Sequence, residues 1–149
     1  MNLLSHTPEK LEMIPLNRHN WEQYANLKVA KDQESFIPSN LISIAQSRFE
    51  PSDLFGFQSD GIAVGFAMIG YWSGIAWINR IMIDQAFQRY GFGKQAVRLL
   101  VQYIQQNPKI PEIRTTVSVS NKAGTAIFRA QGFDWKGTVS GENIYSILF

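Results

Sequence analysis

Hydrophobic residues recur along this chain with two different periods, and the changes of period mark out most of its elements. From residue 54 the period is two: segments 54–58 and 62–69 flank the turn pair Asp60-Gly61, which predicts an antiparallel hairpin. A second turn at Ser73-Gly74 leads into a strand over 75–83. There Trp77, Asn79, Ile81 and Ile83 fall on one side of the pleat, and Ile78, Arg80 and Met82 on the other. The period then becomes helical. Phe92, Ala96, Leu99, Leu100 and Tyr103 share one face, opposite a solvated stripe of Lys94, Arg98 and Gln102. Asn107-Pro108 and Pro111 end that helix, and alternation returns at 113–119. Asn121 is placed to cap a helix over 122–131 that Gly132 terminates, and strand-forming residues follow at 144–149.

The first third of the chain reads less sharply. A short strand is expected at 11–16, followed by Asn20 as the capping residue of a helix carrying Trp21, Tyr24 and Leu27. A polar link over 31–35 leads to Phe36. Pro38 and Ser39 then open a second short helix with Leu41, Ile42, Ile44 and Ala45, which stops around 47–51. The order is strand, helices, three antiparallel strands, helix, strand, helix, strand. That is an α/β protein with a mixed sheet and helices packed on it. No internal repeat or low-complexity segment interrupts it, and 149 residues suit a single domain over 1–149.

Composition removes several functions. The formal charge of +2 comes from Lys and Arg scattered along the chain, with no run that would neutralise successive phosphates, so nucleic acid is not an expected partner. Zero cysteines exclude disulfides, thiol catalysis and thiolate metal sites, and they fit a reducing compartment. His6 and His19 lack ligand spacing and read as surface polar residues, so no metal is expected. No apolar stretch follows a basic region at the start, and no window has the length of a membrane span. The expectation is a soluble cytoplasmic protein without a membrane partner.

The segment Gln88-Arg89-Tyr90-Gly91-Phe92-Gly93-Lys94 lies between the strand over 75–83 and the long helix. A glycine pair entering a helix lets the backbone approach a ligand, and the first N–H groups of the helix point outward without partners. An anion would satisfy them. Glycines before helices also occur in plain turns, and the spacing here is neither that of a nucleotide-hydrolase phosphate loop nor that of a dinucleotide fingerprint.

With this segment placed after the third hairpin strand, the chain resembles the GCN5-related N-acetyltransferases, the GNAT enzymes. The resemblance covers nearly the whole chain. It rests on the family's Gln/Arg-x-x-Gly-x-Gly/Ala signature, here Gln88, Gly91 and Gly93, and on Asn121 followed by a short helix and Gly132-Phe133. It implies a GNAT-like fold, mostly antiparallel and flanked by helices, with acetyl-CoA as cosubstrate and no metal. It also implies that residues Gln88, Arg89, Tyr90, Gly91, Phe92, Gly93 and Lys94 receive the pyrophosphate, and that backbone groups of Met82 and Ile83 pair with the pantetheine arm where the sheet splays after a bulge. Asn121 and Phe128 complete the implied cofactor site. Asn121 also has a role as a helix cap, and Met82 and Ile83 have core packing roles for their side chains.

A narrower likeness, carried by residues 33–40 and by Trp77-Ile78-Asn79-Arg80, is to bacterial polyamine or spermidine N-acetyltransferases. The implied partner is a small-molecule amine. Pairing as a homodimer is left open.

The implied reaction attacks a thioester with a free amine. Alkyl ammonium groups have a pKa near ~10.4, so a proton must be removed first. Asp32, Glu34 and Glu142 are the carboxylate candidates, each with an alternative reading as a solvated charge. Glu34 and Asn79 are the candidate acceptor-binding residues. Many GNAT enzymes supply an acid for the departing thiolate from a tyrosine on the helix after the Asn motif, where this chain has Phe128. Phenylalanine has no proton to give. Tyr24, Tyr90 and Tyr145 are the remaining phenols, with Tyr145 and Glu34 kept as tentative catalytic residues. Asn79 departs from the resemblance too, since the polyamine-like relatives tend to carry an acid there. Two readings therefore stand: an amine N-acetyltransferase, and an acyl-CoA-binding regulatory module with weak or no catalysis. Acetylation of protein N-termini or lysines is a third.

Overall fold

The computed structural model describes residues 10–34 and 39–149. Its strands are β1 Glu12–Pro15, β2 Ser52–Ser59, β3 Ile62–Trp72, β4 Ile75–Ile83, β5 Glu112–Ser118, β6 Asp134–Val139 and β7 Glu142–Leu148. They make one sheet in the order β1-β2-β3-β4-β5-β7-β6. Every neighbouring pair is antiparallel except β4 and β5, which are parallel and joined through α3, Phe92–Gln105. The remaining helices are α1 Trp21–Ala25, α2 Asn40–Gln46 and α4 Lys122–Ala130.

Strand alternation divides the core between the two faces of the sheet. Ala67 and Ile69 of β3 join Phe92, Ala96, Leu100 and Phe128, so α3 and α4 cover one face. Phe66 and Met68 of the same strand join Tyr24, Leu27 and Ile44, so α1 and α2 cover the other. The stripe of Lys94, Arg98 and Gln102 is exposed, as the helical spacing predicts.

Three turns carry the hairpins: Asp60-Gly61, Ser73-Gly74 and Ser140-Gly141, each with both central residues at positive φ. Such turns match the right-handed twist of the strands they join. The third belongs to a hairpin that the sequence pattern does not reveal. Alternation predicts one closing strand at 144–149, whereas the fold has β6 and β7. β6 is an edge strand with Trp135 and Val139 exposed, so it lacks the buried half that creates an alternating signal.

Two further corrections concern local chemistry. Asn20 stands before α1, but its side chain makes no cap; its Oδ1 accepts the Asn17 N–H at 2.8 Å, inside the preceding turn. Ser39 and Asn121 do cap their helices, accepting from Ile42 N–H at 3.3 Å and Gly124 N–H at 3.0 Å. The polar link contains one 3-10 turn, Lys31–Gln33, while Phe36 and Pro38 lie outside the described residues.

The second correction is on β4. Met68 lies opposite Arg80 and Ile69 opposite Ile78, so Asn79 is an extra residue in the strand. A bulge of this kind reverses the face taken by the residues beyond it. Ile78 therefore packs in the same cluster as Ile81 and Ile83, on the α3 side, instead of sharing a face with Met82. Among the described residues no helix is long and apolar enough to cross a membrane.

Candidate active site

The bulge sits where β4 leaves β5. The parallel ladder runs only from Ala76 opposite Ile113 to Ile78 opposite Thr115, and the Thr115 hydroxyl donates to the Ile78 carbonyl at 3.0 Å. β5 continues to Ser118 alongside β7, and β4 continues to Ile83 alongside β3, so a wedge opens between them. The Asp84 N–H donates to the Val64 carbonyl at 2.7 Å. Peptide groups alternate direction along a strand, so Met82 turns its N–H and C=O toward β3 while Ile81 and Ile83 turn theirs into the wedge.

Asn79 and Arg80 lie at the apex of this wedge. The Asn79 side chain covers Gly70, where a Cβ would overlap its amide. The Arg80 Nη1 donates to the carbonyl of Asn79 at 2.6 Å and its Nη2 to Gln46 Oε1 of α2 at 3.4 Å. Its Nε is buried without a partner among the described residues. Burial lowers the pKa of this guanidinium, opposed by the charges of Glu142 and Glu50.

At the other end of β4 the chain makes a 3-10 turn, Gln85–Phe87, capped by Asp84, whose Oδ2 accepts the Ala86 N–H at 3.1 Å. Then comes the glycine segment. Gly91 is the N-cap of α3 with φ of 77°, and Arg89 also has a positive φ of 74°. The first intrahelical bond is Gln95 N–H to Gly91 C=O at 3.3 Å. The N–H groups of Phe92, Gly93 and Lys94 thus have no acceptor within the helix, and no acidic side chain occupies its first turn. An anion there gains roughly 0.3–2 kcal/mol from the helix dipole.

Gly93 lets α4 approach, since a Cβ there would sit 3.0 Å from Ile127. The exposed Tyr90 ring stacks on buried Phe92 at 5.8 Å between centroids. The Gln88 side chain faces the sheet, donating to the Ile83 carbonyl at 3.0 Å and to Gln33 Oε1 at 2.8 Å.

The other sequence candidates are spread around this frame. Phe128 is buried in α4 and packs edge-to-face on Phe133 at 5.2 Å. Tyr145 is buried on β7 opposite Thr115, with the Arg129 guanidinium 5.9 Å from its ring. Tyr24 is fully buried over Gly56, its hydroxyl has no partner among the described residues, and burial raises its pKa. Asp32 and Glu34 are exposed at the 3-10 turn before the undescribed stretch 35–38. Glu142 is exposed at the start of β7, opposite Ser118.

The fold thus gathers Asn79, Arg80, Ile81 and Ile83 at one wedge and Gln88 to Lys94 at its end. It gives the Glu34 side chain no hydrogen bond among the described residues. The sequence pattern includes Gln33 only as the start of the likeness over 33–40, and it does not single out Gln46. Their partners lie 55 and 34 residues away, a separation that no local pattern encodes. Among the described residues no group of three or more His, Asp or Glu side chains could hold a metal.

A bulged strand parts here from its parallel neighbour and leaves an anion-receptive helix start at the open end of the wedge. Residues 15–133 match the model of the Acetyltransferase (GNAT) family, and the chain belongs to that family. It is similar to a spermine/spermidine N(1)-acetyltransferase of Bacillus subtilis, 26% identical over 133 residues that span 80% of this chain and 86% of that protein. It is also similar to an aminoglycoside N(6')-acetyltransferase type 1 of Klebsiella pneumoniae, 27% identical over 133 residues, spanning 80% of this chain and 64% of that one. Among solved structures, spermidine N-acetyltransferase from Vibrio cholerae in complex with CoA and spermine superposes with a TM-score of 0.76. That match covers 93% of this chain and 95% of the other at 17% identity. The mixed sheet expected from the element order is the GNAT fold, and the protein is an acetyltransferase with acetyl-CoA as the cosubstrate its family implies.

Proposed function

We propose that this protein transfers the acetyl group of acetyl-CoA to the nitrogen of a small primary amine, with polyamines the first class to test. The observation that carries this reading is the wedge between β4 and β5 with free N–H groups of α3 at its end. The pyrophosphate would be received by the N–H groups of Arg89 to Lys94, with Lys94 adding a charge. The pantetheine arm would pair with backbone groups of β4 toward Met82 and Ile83. The backbone phase favours Ile81 and Ile83 for that pairing, with Met82 contributing its side chain to the opposite core cluster. Asn121 and Phe128 would border the cofactor from α4.

In the reaction a C–N bond forms and the C–S bond breaks. The ammonium proton leaves before attack, toward a carboxylate such as Glu34 or Glu142 or through water. After attack the nitrogen gives up a second proton, and the thiolate, a tolerable leaving group with an intrinsic pKa near ~8.5, takes up that proton directly or by way of solvent. Positioning would supply much of the acceleration, since an oriented bound pair removes most of the entropic part of the barrier. The names of the Bacillus and Klebsiella relatives support polyamines and aminoglycosides as acceptors worth trying.

The test is acetyl-CoA consumption across a panel of polyamines, aminoglycosides, simple alkylamines and peptides, with Glu34→Gln beside the wild type. Because the chain has no cysteine, a thiol reagent reports released CoA alone. Turnover with a member of the panel supports the enzyme, and a raised KM for a cationic acceptor in Glu34→Gln supports that carboxylate. Tight binding of acetyl-CoA without turnover anywhere in the panel supports the second reading, an acyl-CoA-binding module, which Phe128 favours by lacking an acidic proton.

A further inference from the structure

We propose that Gln33 is a positioning residue for the cosubstrate loop, acting through Gln88; this rests on acetyl-CoA binding at residues 88–94. The Gln88 amide gives one hydrogen to the Ile83 carbonyl at 3.0 Å and the other to Gln33 Oε1 at 2.8 Å. This assignment follows from the chemistry. A backbone carbonyl only accepts, so Gln88 must present its nitrogen there, and the Gln33 atom beside that same nitrogen must be oxygen.

Gln88 is therefore held between the wall of the wedge and the described residues 28–34 that follow α1. The loop that follows needs such a hold. Arg89, next in the chain, has φ of 74°, a left-handed conformation that is costly for a residue with a Cβ. A hold on Gln88 stabilises that geometry at the point where the chain enters α3.

Two more bonds strengthen the same junction. The Lys28 N–H donates to Asp84 Oδ1 at 2.8 Å, and the Gln85 N–H to the Lys28 carbonyl at 2.7 Å. They anchor the chain at Asp84 and Gln85, and the Gln33 side chain extends the anchorage to the first residue of the loop. The segment that provides all three contacts also carries Asp32 and Glu34. Occupation of the loop by acetyl-CoA is thereby coupled to residues 28–34, and what holds those residues against Gln88 favours the loop in return, as linkage requires.

Calorimetric titration with acetyl-CoA tests this on wild type, Gln33→Met, Gln33→Glu, Gln88→Ala and the double variant Gln33→Met with Gln88→Ala. Met keeps the volume and removes the acceptor, whereas Glu keeps an acceptor. Loss of one hydrogen bond should raise Kd by about three- to tenfold in Gln33→Met, with Gln33→Glu close to wild type. The double variant should bind no more weakly than Gln88→Ala alone, because both changes break one contact. In hydrogen exchange, acetyl-CoA should slow the amides of residues 31–34 in wild type and slow them markedly less in Gln33→Met, where the two bonds at Lys28 remain. Thermal unfolding of the ligand-free proteins separates this from a general loss of stability. Equal Kd for wild type and Gln33→Met, or additive losses in the double variant, would overturn the proposal while leaving the loop as the cosubstrate site. Absence of acetyl-CoA binding by the wild type would overturn both.

Discussion

Single side chains decide how this site is framed, and Gly91 is the sharpest case. Its φ of 77° is needed to aim the first N–H groups of α3 outward, and nothing crowds the space where a Cβ would stand. The constraint is conformational, worth roughly 1–2 kcal/mol for an L-residue, or about tenfold in binding if the loop relaxes to avoid it. Gly93 is constrained by space instead, because α4 lies against it at Ile127. Valine at both positions should therefore raise the Kd for acetyl-CoA at least about tenfold in a protein that keeps its circular dichroism; unchanged affinity in the folded double variant would remove the loop from the site. Tyr24 gives an opposite expectation. Its buried hydroxyl has no partner among the described residues, so Tyr24→Phe should leave stability unchanged or improved, with turnover intact. A large loss of turnover in a stably folded Tyr24→Phe protein would restore that phenol as a candidate acid.

Among the elements, α4 combines capping with packing at very short range. Its N-cap Asn121 reaches Gly124, where a larger residue would meet the Asn121 amide at 2.8 Å, so the two residues form a compact unit. Asn121→Ala should lower stability by about 1 kcal/mol, read from the denaturant midpoint at constant slope. If Asn121 also borders the cofactor, acetyl-CoA affinity falls beyond what that destabilisation explains; an unchanged Kd assigns it to capping alone. β4 is the other decisive element. Its bulge at Asn79 moves Ile78 into the α3-side cluster and leaves a carbonyl that the Arg80 side chain covers. A strand without that extra residue would carry its alternation straight through.

For the molecule as a whole, the wedge requires the sheet to be tight at one end of the β4–β5 pair. At that end Glu112 of β5 accepts from Arg114 and from Ser146 of β7 at 2.7 Å, and Arg114 lies 5.7 Å from the Trp77 ring of β4. One cluster thus ties three central strands. The Arg114 hydrogen bond, followed by that of Ser146, lowers the Glu112 pKa from 4.5 against the effect of burial. A depressed folded-state pKa contributes stability above the unfolded value, and that contribution is lost as pH falls through the folded value. The Tm of wild type should consequently fall on acidification below about pH 4.5, and Glu112→Gln should show a lower Tm at neutral pH with a shallower acid decline. Parallel Tm profiles for the two proteins would show that the carboxylate charge contributes nothing there.

Much of this architecture is written locally. The hairpin turns, the stripe of α3, the caps Ser39 and Asn121 and the glycine segment are each set by residues within four positions of one another, where backbone preference and side-chain period act directly. What the sequence left open was decided by partners distant in the chain. The bulge at Asn79 exists only relative to β3, and the exposed edge strand β6 is held by β7 with little burial of its own. The wedge needs β5 to pair with β7 while β4 stays with β3, and Gln88 finds its direction only when Gln33 arrives from 55 residues away. A local period can state which face a residue prefers; the register between strands, and the side chains that meet across them, follow from packing the whole sheet.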